Sequence, residues 1–298
     1  MCHNEKKEDV KLSSLILGVD SGSFKAKIVG EHGVDTFKTN ICDWFVRDVE
    51  EKFGTDDMEF EIDGRKGYAG TIAEYEDDFD GGGSMFGDTK NHDDNKIRVI
   101  LAIFRYIEKY AANTKSVRIV TGQPIKMHNE TEKDGIIKML EGEHDVTVNG
   151  KNRTIIIEEV KVSPEGSGAF WSNPKSVTDR AYHILDIGSG TINAATVINK
   201  KFITTKSNTF NFGMETIKNK DDLKGAARGI IRSITGLKWK KDAEVMVCGG
   251  VATEILPHIQ EHFANASALL PKLDGEAVLT PVYANATGFY EIAKKVFK

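Results

Sequence analysis

The sequence has few cysteines and no long apolar segment. Its three cysteines, Cys2, Cys42 and Cys248, are odd in number and far apart, which indicates neither a disulfide framework nor a zinc knuckle, and Cys248 is predicted to lie in the core. No run approaches the roughly 18 apolar residues of a membrane span, and the polar start MCHNEKKEDVKLSS does not resemble a signal peptide. We therefore expect a cytoplasmic protein that makes no contact with a membrane.

An excess of positive charge is also absent. The net charge is −5 and the isoelectric point is near 6.0, whereas tight binding to a DNA backbone needs a clustered face of Lys and Arg. The chain also lacks the G-x-x-x-x-G-K-[ST] motif and a G-x-G-x-x-G motif after a strand, which excludes P-loop and Rossmann nucleotide sites. If the protein acts on DNA, we expect another protein to make the contact.

The size and composition are those of a globular protein with two domains. At 298 residues, 40% hydrophobic and 29% charged, the chain is long enough for two cores. Predicted strands and helices alternate, as in NKIRVILAIFRYIEKYA followed by SVRIVTGQP, and EVMVCGG followed by VATEILPHIQEHFA. This alternation predicts an α/β architecture. Between about Glu59 and Asp94 the composition shifts to Gly and acidic residues, and we expect an excursion away from the core there.

One pattern occurs twice. LGVDSGSFKAKIV, which begins at Leu17, and LDIGSGTINAATV, which begins at Leu185, each carry an apolar strand, an Asp, a turn containing Gly, and a returning strand. Such a turn aims backbone N–H groups at one point and can hold a phosphate. Asp20 and Asp186 would repel that phosphate without an intervening cation, which predicts Mg²⁺ held by these two residues through water. A single such turn is common in ordinary loops, but two in corresponding positions favour a polyphosphate site.

Five motifs, which follow one another along the chain in the family's order, resemble the actin-like ATPase superfamily, and within it the ParM-type plasmid-segregation actins, including the short AlfA-like forms. The residues that look like the two phosphate loops are Asp20, Ser21, Gly22 and Ser23, and Asp186, Ile187, Gly188, Ser189, Gly190 and Thr191. SPEGSGAF looks like the first connecting segment, VMVCGGVATEI resembles the adenosine motif, and ANATGFYEIAKK resembles the second connecting helix.

The resemblance implies two ribonuclease-H-like (actin-like) domains that flank a nucleotide cleft. Domain I would span residues 12–174, with a small excursion at about 37–94, and the C-terminal helix 284–298 would complete it. Domain II would span residues 175–283. The function of the acidic, Gly-rich segment 74–88 is not indicated by the sequence.

The resemblance also implies roles at the phosphate end of the cleft. Asp20, Asp186 and Glu165 would serve catalysis, and Glu165 would orient and polarise the attacking water. Hydrolysis of a γ-phosphate requires little beyond alignment and charge neutralisation, so a carboxylate suits this place. Lys27 would bind phosphate, although Lys25 lies on the same face of the strand.

At the nucleoside end, Gly249 and Gly250 would let the backbone approach the base and ribose, and Gly213 and Glu215 would meet the ribose side. One feature departs from the longer family members. Asp186 and Gly249 are only about sixty residues apart, so that subdomain IIB, which lies between the corresponding motifs, is expected to be reduced or missing, as in AlfA-like proteins. ATP is the expected nucleotide, and GTP stays open.

The implied function is a nucleotide-dependent filament that hydrolyses ATP or GTP. It would assemble head to tail and segregate plasmid DNA through a DNA-binding adaptor of ParR type, in the cytoplasm of a bacterium and encoded on a plasmid. The alternative is a metabolic phosphotransferase of the same superfamily, such as a sugar or acetate kinase, although those enzymes usually run longer.

Two other motifs suggest metal sites. HIQEH, from His258 to His262, matches the H-x-x-E-H pattern of inverzincin metalloproteases, and EDDFDG resembles the start of an EF-hand. The first has no evident third ligand, and the second has Gly87 where an EF-hand needs a bidentate Glu. Solvated surface segments are the better prediction for both.

Overall fold

The computed structural model describes residues 14–49, 51–76, 89–173, 180–274 and 277–297. Its strands are β1 (Leu15–Ser21), β2 (Lys25–Gly30), β3 (Gly33–Lys38), β4 (Ile41–Asp43), β5 (Met58–Ile62), β6 (Arg65–Ala69), β7 (Ser116–Gln123), β8 (Gly142–Val148), β9 (Lys151–Pro164), β10 (Ala181–Ile187), β11 (Ile192–Ile198), β12 (Lys201–Phe202), β13 (Asn208–Phe210), β14 (Glu244–Gly249), β15 (Ser267–Ala268), β16 (Lys272–Leu273) and β17 (Ala277–Val278). Its helices are α1 (Thr71–Glu76), α2 (Asp93–Tyr110), α3 (Glu130–Leu140), α4 (Ser167–Phe170), α5 (Leu223–Ile234), α6 (Ala252–Gln260) and α7 (Ala284–Val296). Within these ranges no helix is both long and apolar enough to cross a membrane.

The first sheet has nine strands in the order β3-β2-β1-β7-β9-β8-β5-β6-β4. Strand β1 pairs antiparallel with β2 and parallel with β7, which runs parallel to β9. Helix α2 packs on β1, β2 and β3. It begins after His92, whose ring accepts a hydrogen bond from the N–H of Asn95, and it buries Ile100, Phe104 and Ile107 at helical spacing. The predicted helix and strand of this region are confirmed.

The second sheet repeats the centre of the first. Its order is β12-β11-β10-β14-β15, and β13 also pairs with β11. Strand β10 pairs antiparallel with β11 and parallel with β14. It therefore corresponds to β1, with β11 in the place of β2 and β14 in the place of β7. Helices α5 and α6 cover a core that includes Leu185, Ile230, Val247 and Ile255. The α/β architecture is therefore confirmed, and the duplicated sequence pattern corresponds to a duplicated sheet motif.

The expected excursion from the core between Glu59 and Asp94 was wrong for part of this segment. Residues 58–69 form β5 and β6, which join the first sheet through the pairing of β5 with β8. Met58, Phe60 and Ile62 are buried in the main core, because alternate residues of the strand face inward. The acidic, Gly-rich part at 77–88 lies outside the described residues.

Helix α7 returns the chain to the first sheet, where it packs on β1, β2 and β7. The contact is close because glycines remove side chains from it. A Cβ at Gly18 would lie 2.2 Å from the carbonyl oxygen of Ala286, and one at Gly288 would lie 2.0 Å from that of Gly168. The predicted C-terminal helix thus connects β1 with α4, close to the point where the two sheets meet.

Candidate functional site

The two Gly-containing turns face each other. Ser23, after β1, and Ser189, after β10, have their hydroxyl oxygens 3.1 Å apart. A Cβ at Gly190 would lie 3.6 Å from the hydroxyl of Ser23, and the N–H of Gly188 donates to the carbonyl of Thr191 at 3.0 Å, which closes the second turn. Because each turn follows the first strand of a duplicated hairpin, the repeated pattern brings two clusters of N–H and hydroxyl donors together.

Asp20, at the end of β1, is buried and lies between two ammonium groups. Lys27 Nζ is 3.3 Å from Asp20 Oδ2, and Lys90 Nζ is 3.5 Å from Asp20 Oδ1. Burial acts to raise the pKa of Asp20, but the charges of Lys27 and Lys90 outweigh it and hold the pKa below its usual value. Lys25, in contrast, is exposed at the start of β2 and its ammonium lies over the Phe24 ring. The strand therefore places Lys27, rather than Lys25, beside Asp20.

Glu165 lies beside Asp20 although it comes from the segment after β9. Its carboxylate forms an ion pair with Lys90 and accepts a hydrogen bond from Asn193 Nδ2 at 2.9 Å. Its backbone N–H donates to the carbonyl of Gln123 at 3.0 Å. Glu165 is only 6% exposed, so these partners fix the direction of its carboxylate.

Asp186, at the end of β10, completes the group of buried carboxylates. It accepts a hydrogen bond from Asn285 Nδ2 at 2.9 Å, and Asn285 Oδ1 accepts one from the N–H of Gly166 at 3.0 Å. Burial, with the charges of Glu165 and Asp20, raises the pKa of Asp186 to about 6. Asn285 on α7 therefore connects the second turn with the segment that carries Glu165.

This electrostatic environment fits a cation. The carboxylate of Asp186 feels two other carboxylates, and a positive charge nearby would relieve that repulsion. In the part of the chain that the structure describes, no three His, Cys, Asp or Glu residues are arranged to hold a metal ion directly. Asp20 and Asp186 are the carboxylates that would hold Mg²⁺ through water, as the sequence predicts.

The residues predicted for the nucleoside end lie around the second turn. Gly249 has φ +101°, and a Cβ there would lie 2.1 Å from the carbonyl oxygen of Ile187, so that only glycine fits. A Cβ at Gly250 would meet nothing within 4 Å, which leaves open space beside the end of β14. A Cβ at Gly213 would lie 2.3 Å from the carbonyl oxygen of Ser189, so this glycine packs directly on the second turn.

Glu215 contacts the second turn through its backbone, and the Ser21 side chain is hydrogen-bonded inside the protein. The N–H of Glu215 donates to the carbonyl of Ser189 at 2.9 Å, while its side chain forms an ion pair with Lys220. Ser21 is buried and donates its hydroxyl proton to Asn95 Oδ1 at 2.5 Å. Gly22 lies over Lys27, since a Cβ there would be 3.1 Å from Lys27 Nζ.

Sequence reasoning did not identify three side chains that organise the carboxylates, namely Lys90, Asn193 and Asn285. Lys90 precedes α2 and follows the segment with the acidic, Gly-rich composition, where the sequence gives no signal for a single lysine. Asn193 and Asn285 are buried polar residues on β11 and α7, where neighbouring positions are apolar. A buried polar residue must be hydrogen-bonded, so an Asn within an apolar strand or helix is the signal that could have indicated them.

The other candidate sites are not assembled. His258 Nδ1 lies 3.5 Å from Glu261, which also binds Lys224, so HIQEH is a surface ion-pair group. No metal cluster is found at this helix or elsewhere among the described residues. The EF-hand-like stretch falls mostly at 77–88, outside the described residues. Cys248 is fully buried on β14, which confirms its predicted place in the core.

Comparisons with known proteins identify the fold. The chain is similar to an AlfA filament bound to AMPPNP (TM-score 0.75, 21% identity, 96% of this chain and 100% of that chain covered) and to the AlfA filament from B. subtilis plasmid pLS32 (0.74, 20%, 92% and 97%). It is also similar to a 15-stranded ParM filament from Clostridium botulinum (0.73, 20%, 95% and 100%). No curated protein sequence matches it. A family described as actin-like proteins, N-terminal domain, matches residues 18–168, about half of the chain, and these structures share its fold over nearly the whole length. The chain belongs to the actin-like proteins.

Proposed function

We propose that this protein is a nucleotide-dependent, filament-forming NTPase that segregates plasmid DNA. The observation that carries the proposal is the pair of facing turns, with Ser23 and Ser189 in contact and three buried carboxylates, Asp20, Glu165 and Asp186, beside them. Two donor clusters on opposite sides of a gap suit the phosphates of ATP, with GTP as the second possibility. The proposal divides the chain into domain I, 12–174 with 284–298, and domain II, 175–283.

Each group has a defined task in this proposal. The backbone N–H groups and hydroxyls of the two turns bind the phosphates, and Lys27 adds a positive charge under the first turn. Asp20 and Asp186 hold Mg²⁺ through water, and the ion when bound neutralises phosphate charge. Glu165 orients the attacking water and accepts its proton, which its fixed direction and its place beside Asp20 and Asp186 allow.

Gly250 leaves space for the nucleoside, and Gly249, where only glycine fits, forms the backbone beside that space. The open position at Gly250 lies at the end of β14, next to the second turn, where a ribose or base could approach the backbone. Gly213 supports that turn from the other side. One of the similar structures is an AlfA filament bound to AMPPNP, which supports an adenine nucleotide for this chain.

The same comparisons support the proposed assembly, and the charge of the chain bears on its cargo. Similar proteins are described as AlfA and ParM filaments, which supports head-to-tail self-association here through a repeating contact that does not close. The net charge of −5 disfavours tight DNA binding by the filament itself, so a DNA-binding adaptor of ParR type would make the link. The proposed setting is the cytoplasm of a bacterium that carries the plasmid.

The test combines light scattering with negative-stain microscopy. The purified chain is examined with Mg²⁺ and ATP, GTP or a non-hydrolysable analogue, and phosphate release is followed without any added acceptor. We expect filaments with at least one triphosphate and release of phosphate without an acceptor. A chain that stays monomeric with every nucleotide, releases no inorganic phosphate, and forms ADP and a phosphorylated acceptor only when a sugar or acetate is added would instead be a phosphotransferase.

A further inference from the structure

The position of Lys90 has a consequence for how Mg²⁺ enters the site. Its side chain is 12% exposed and its ammonium lies between the carboxylates of Asp20 and Glu165, as an ion pair with each. Neither the predicted phosphate loops nor the comparisons assign it a role. It occupies the side of Asp20 opposite to Lys27, so that both oxygens of this carboxylate already have a positive neighbour.

The backbone of Lys90 is fixed to both carboxylate-bearing segments. Its N–H donates to Gln123 Oε1 at 2.9 Å, and the carbonyl of the same Gln123 accepts the N–H of Glu165. Its carbonyl accepts a hydrogen bond from Asn95 Nδ2 at 2.7 Å, and Asn95 Oδ1 accepts from the hydroxyl of Ser21 in the first turn. Gln123 and Asn95 are both fully buried, so they fix the backbone of Lys90 and with it the position of the ammonium group.

The charges around Lys90 nearly balance. Three carboxylates, those of Asp20, Glu165 and Asp186, lie with two ammonium groups, those of Lys27 and Lys90, which leaves one net negative charge. Without Lys90 the net charge would be two negative, and Asp20 and Glu165 would face each other without a cation between them. A divalent ion is the ligand that such a pair would attract.

We infer that Lys90 is the internal counter-cation of the nucleotide-free site: it takes the place between Asp20 and Glu165 and keeps free Mg²⁺ out, so that the ion enters only with a nucleotide. The inference rests on the proposed nucleotide site. The phosphates bring the negative charge that offsets the repulsion between Lys90 and Mg²⁺. Lys90 is a positioning residue for Glu165 in the nucleotide-free protein, because it holds that carboxylate beside Asp20 before the substrate arrives.

The test measures Mg²⁺ binding to the nucleotide-free protein. Wild type and Lys90→Met are titrated with MgCl₂ by calorimetry at constant ionic strength, and their melting temperatures are recorded with and without the ion. Removing a positive charge within a few ångströms of a divalent ion should tighten its binding at least about tenfold, even with water-like screening. Mg²⁺ alone should therefore raise the melting temperature of Lys90→Met and leave that of the wild type unchanged.

Lys96→Met is the matched control. Lys96 belongs to α2 and also forms an ion pair, with Asp63 at 2.6 Å, but outside this site. Its variant should bind free Mg²⁺ as the wild type does. Equal Mg²⁺ affinities for wild type and Lys90→Met, or tight binding of free Mg²⁺ by the wild type, would overturn the inference.

A second pair of variants covers the case in which Lys90→Met does not fold. Glu165→Gln alone and Glu165→Gln with Lys90→Met differ again by the one ammonium group, and the double variant has the same net site charge as the wild type. The double variant should bind free Mg²⁺ more tightly than Glu165→Gln alone, and equal affinities would contradict the inference. Wild-type binding of Mg²⁺ with ATP or GTP is measured in parallel. Failure to bind either nucleotide would overturn the proposed function, whereas nucleotide binding with no effect of Lys90 would overturn only this inference.

Discussion

The hydroxyl of Ser23 lies 3.1 Å from the hydroxyl of Ser189, although 166 positions separate the two residues. The contact joins two turns that belong to different sheets. A nucleotide bound here would place its phosphates between the turns and would replace this direct contact by contacts to itself. Nucleotide binding in this gap can therefore change the position of one sheet relative to the other. A nucleotide-controlled filament requires such a change.

Gly22→Ala should weaken nucleotide binding. A Cβ at this position would lie 2.7 Å from the carbonyl oxygen of Lys25, so the first turn must move to accommodate it. We expect a loss of affinity on the order of tenfold, about 1.4 kcal/mol, in a calorimetric titration with ATP or GTP and Mg²⁺. Gly229→Ala is the control, because a Cβ there meets nothing within 4 Å and its affinity should match the wild type. Wild-type affinity in Gly22→Ala would place the phosphates elsewhere.

Glu165→Ala should slow nucleotide hydrolysis without preventing filament assembly. Loss of the group that aligns water removes transition-state stabilisation, so phosphate release should fall on the order of a hundredfold, or about 2.7 kcal/mol of barrier. The turns keep their backbone donors, and nucleotide affinity should remain close to that of the wild type. Unchanged turnover would remove Glu165 from the mechanism, whereas loss of assembly with normal nucleotide affinity would make it an interface residue.

Gly288→Ala should destabilise the fold rather than the site. The new methyl group would lie 2.0 Å from the carbonyl oxygen of Gly168, where α7 meets α4, and neither backbone can move without disturbing the core around Phe289. Overpacking of this kind should lower the free energy of unfolding by about 3 kcal/mol in urea denaturation. Gly229→Ala, on the exposed part of α5, should be neutral or slightly stabilising. Equal midpoints for the two variants would contradict the close packing of α7.

The stability of the protein should depend on His183 in mildly acidic solution. Burial lowers the pKa of His183 to about 4, and its ring stacks on Trp239 with centroids 4.4 Å apart. The folded pKa lies below the unfolded value of about 6.5, so the folded protein holds His183 neutral while the unfolded chain takes up a proton. The free energy of unfolding is therefore unaffected by protonation of His183 above pH 6.5 and falls as the pH decreases toward 4. We expect His183→Leu to remove about 2 kcal/mol of the pH dependence of unfolding in that window. An unchanged slope in His183→Leu would refute the assignment.

The two facing turns could be predicted because the sequence pattern that forms them is local. Asp20 and Asp186 each stand before a Gly-containing turn between two strands, and the hairpin sequence alone puts the carboxylate at the strand end. Lys90 could not be found in this way, since its role depends on Gln123 and on Asn95, which tertiary folding brings to it. Its own neighbours in the sequence are polar and give no periodic signal.

The β5–β6 hairpin illustrates a different limit. Phe60 and Ile62 alternate with acidic residues, which is a strand pattern, but the many Gly and acidic residues that follow made the composition of the longer segment dominate the prediction. The sequence RTIIIEEVKV predicts a strand, which β9 confirms, but β8 and its hairpin with β9 were not predicted, although their turn has Asn149 and Gly150 at φ +49° and +76°, the combination that favours a two-residue hairpin. The alternation of side chains in the first case and the turn residues in the second were better guides than composition.

The most direct test of the central claim is a sedimentation assay with a non-hydrolysable ATP analogue and Mg²⁺. If nucleotide held between the two turns drives assembly, most of the wild type and of Glu165→Ala should pellet, and both should stay in the supernatant without nucleotide. Asp186→Ala should remain in the supernatant, because loss of a carboxylate on the Mg²⁺ side weakens nucleotide binding. Wild-type protein that stays in the supernatant with ATP, GTP and their analogues, or Asp186→Ala that pellets as the wild type does, would contradict the account.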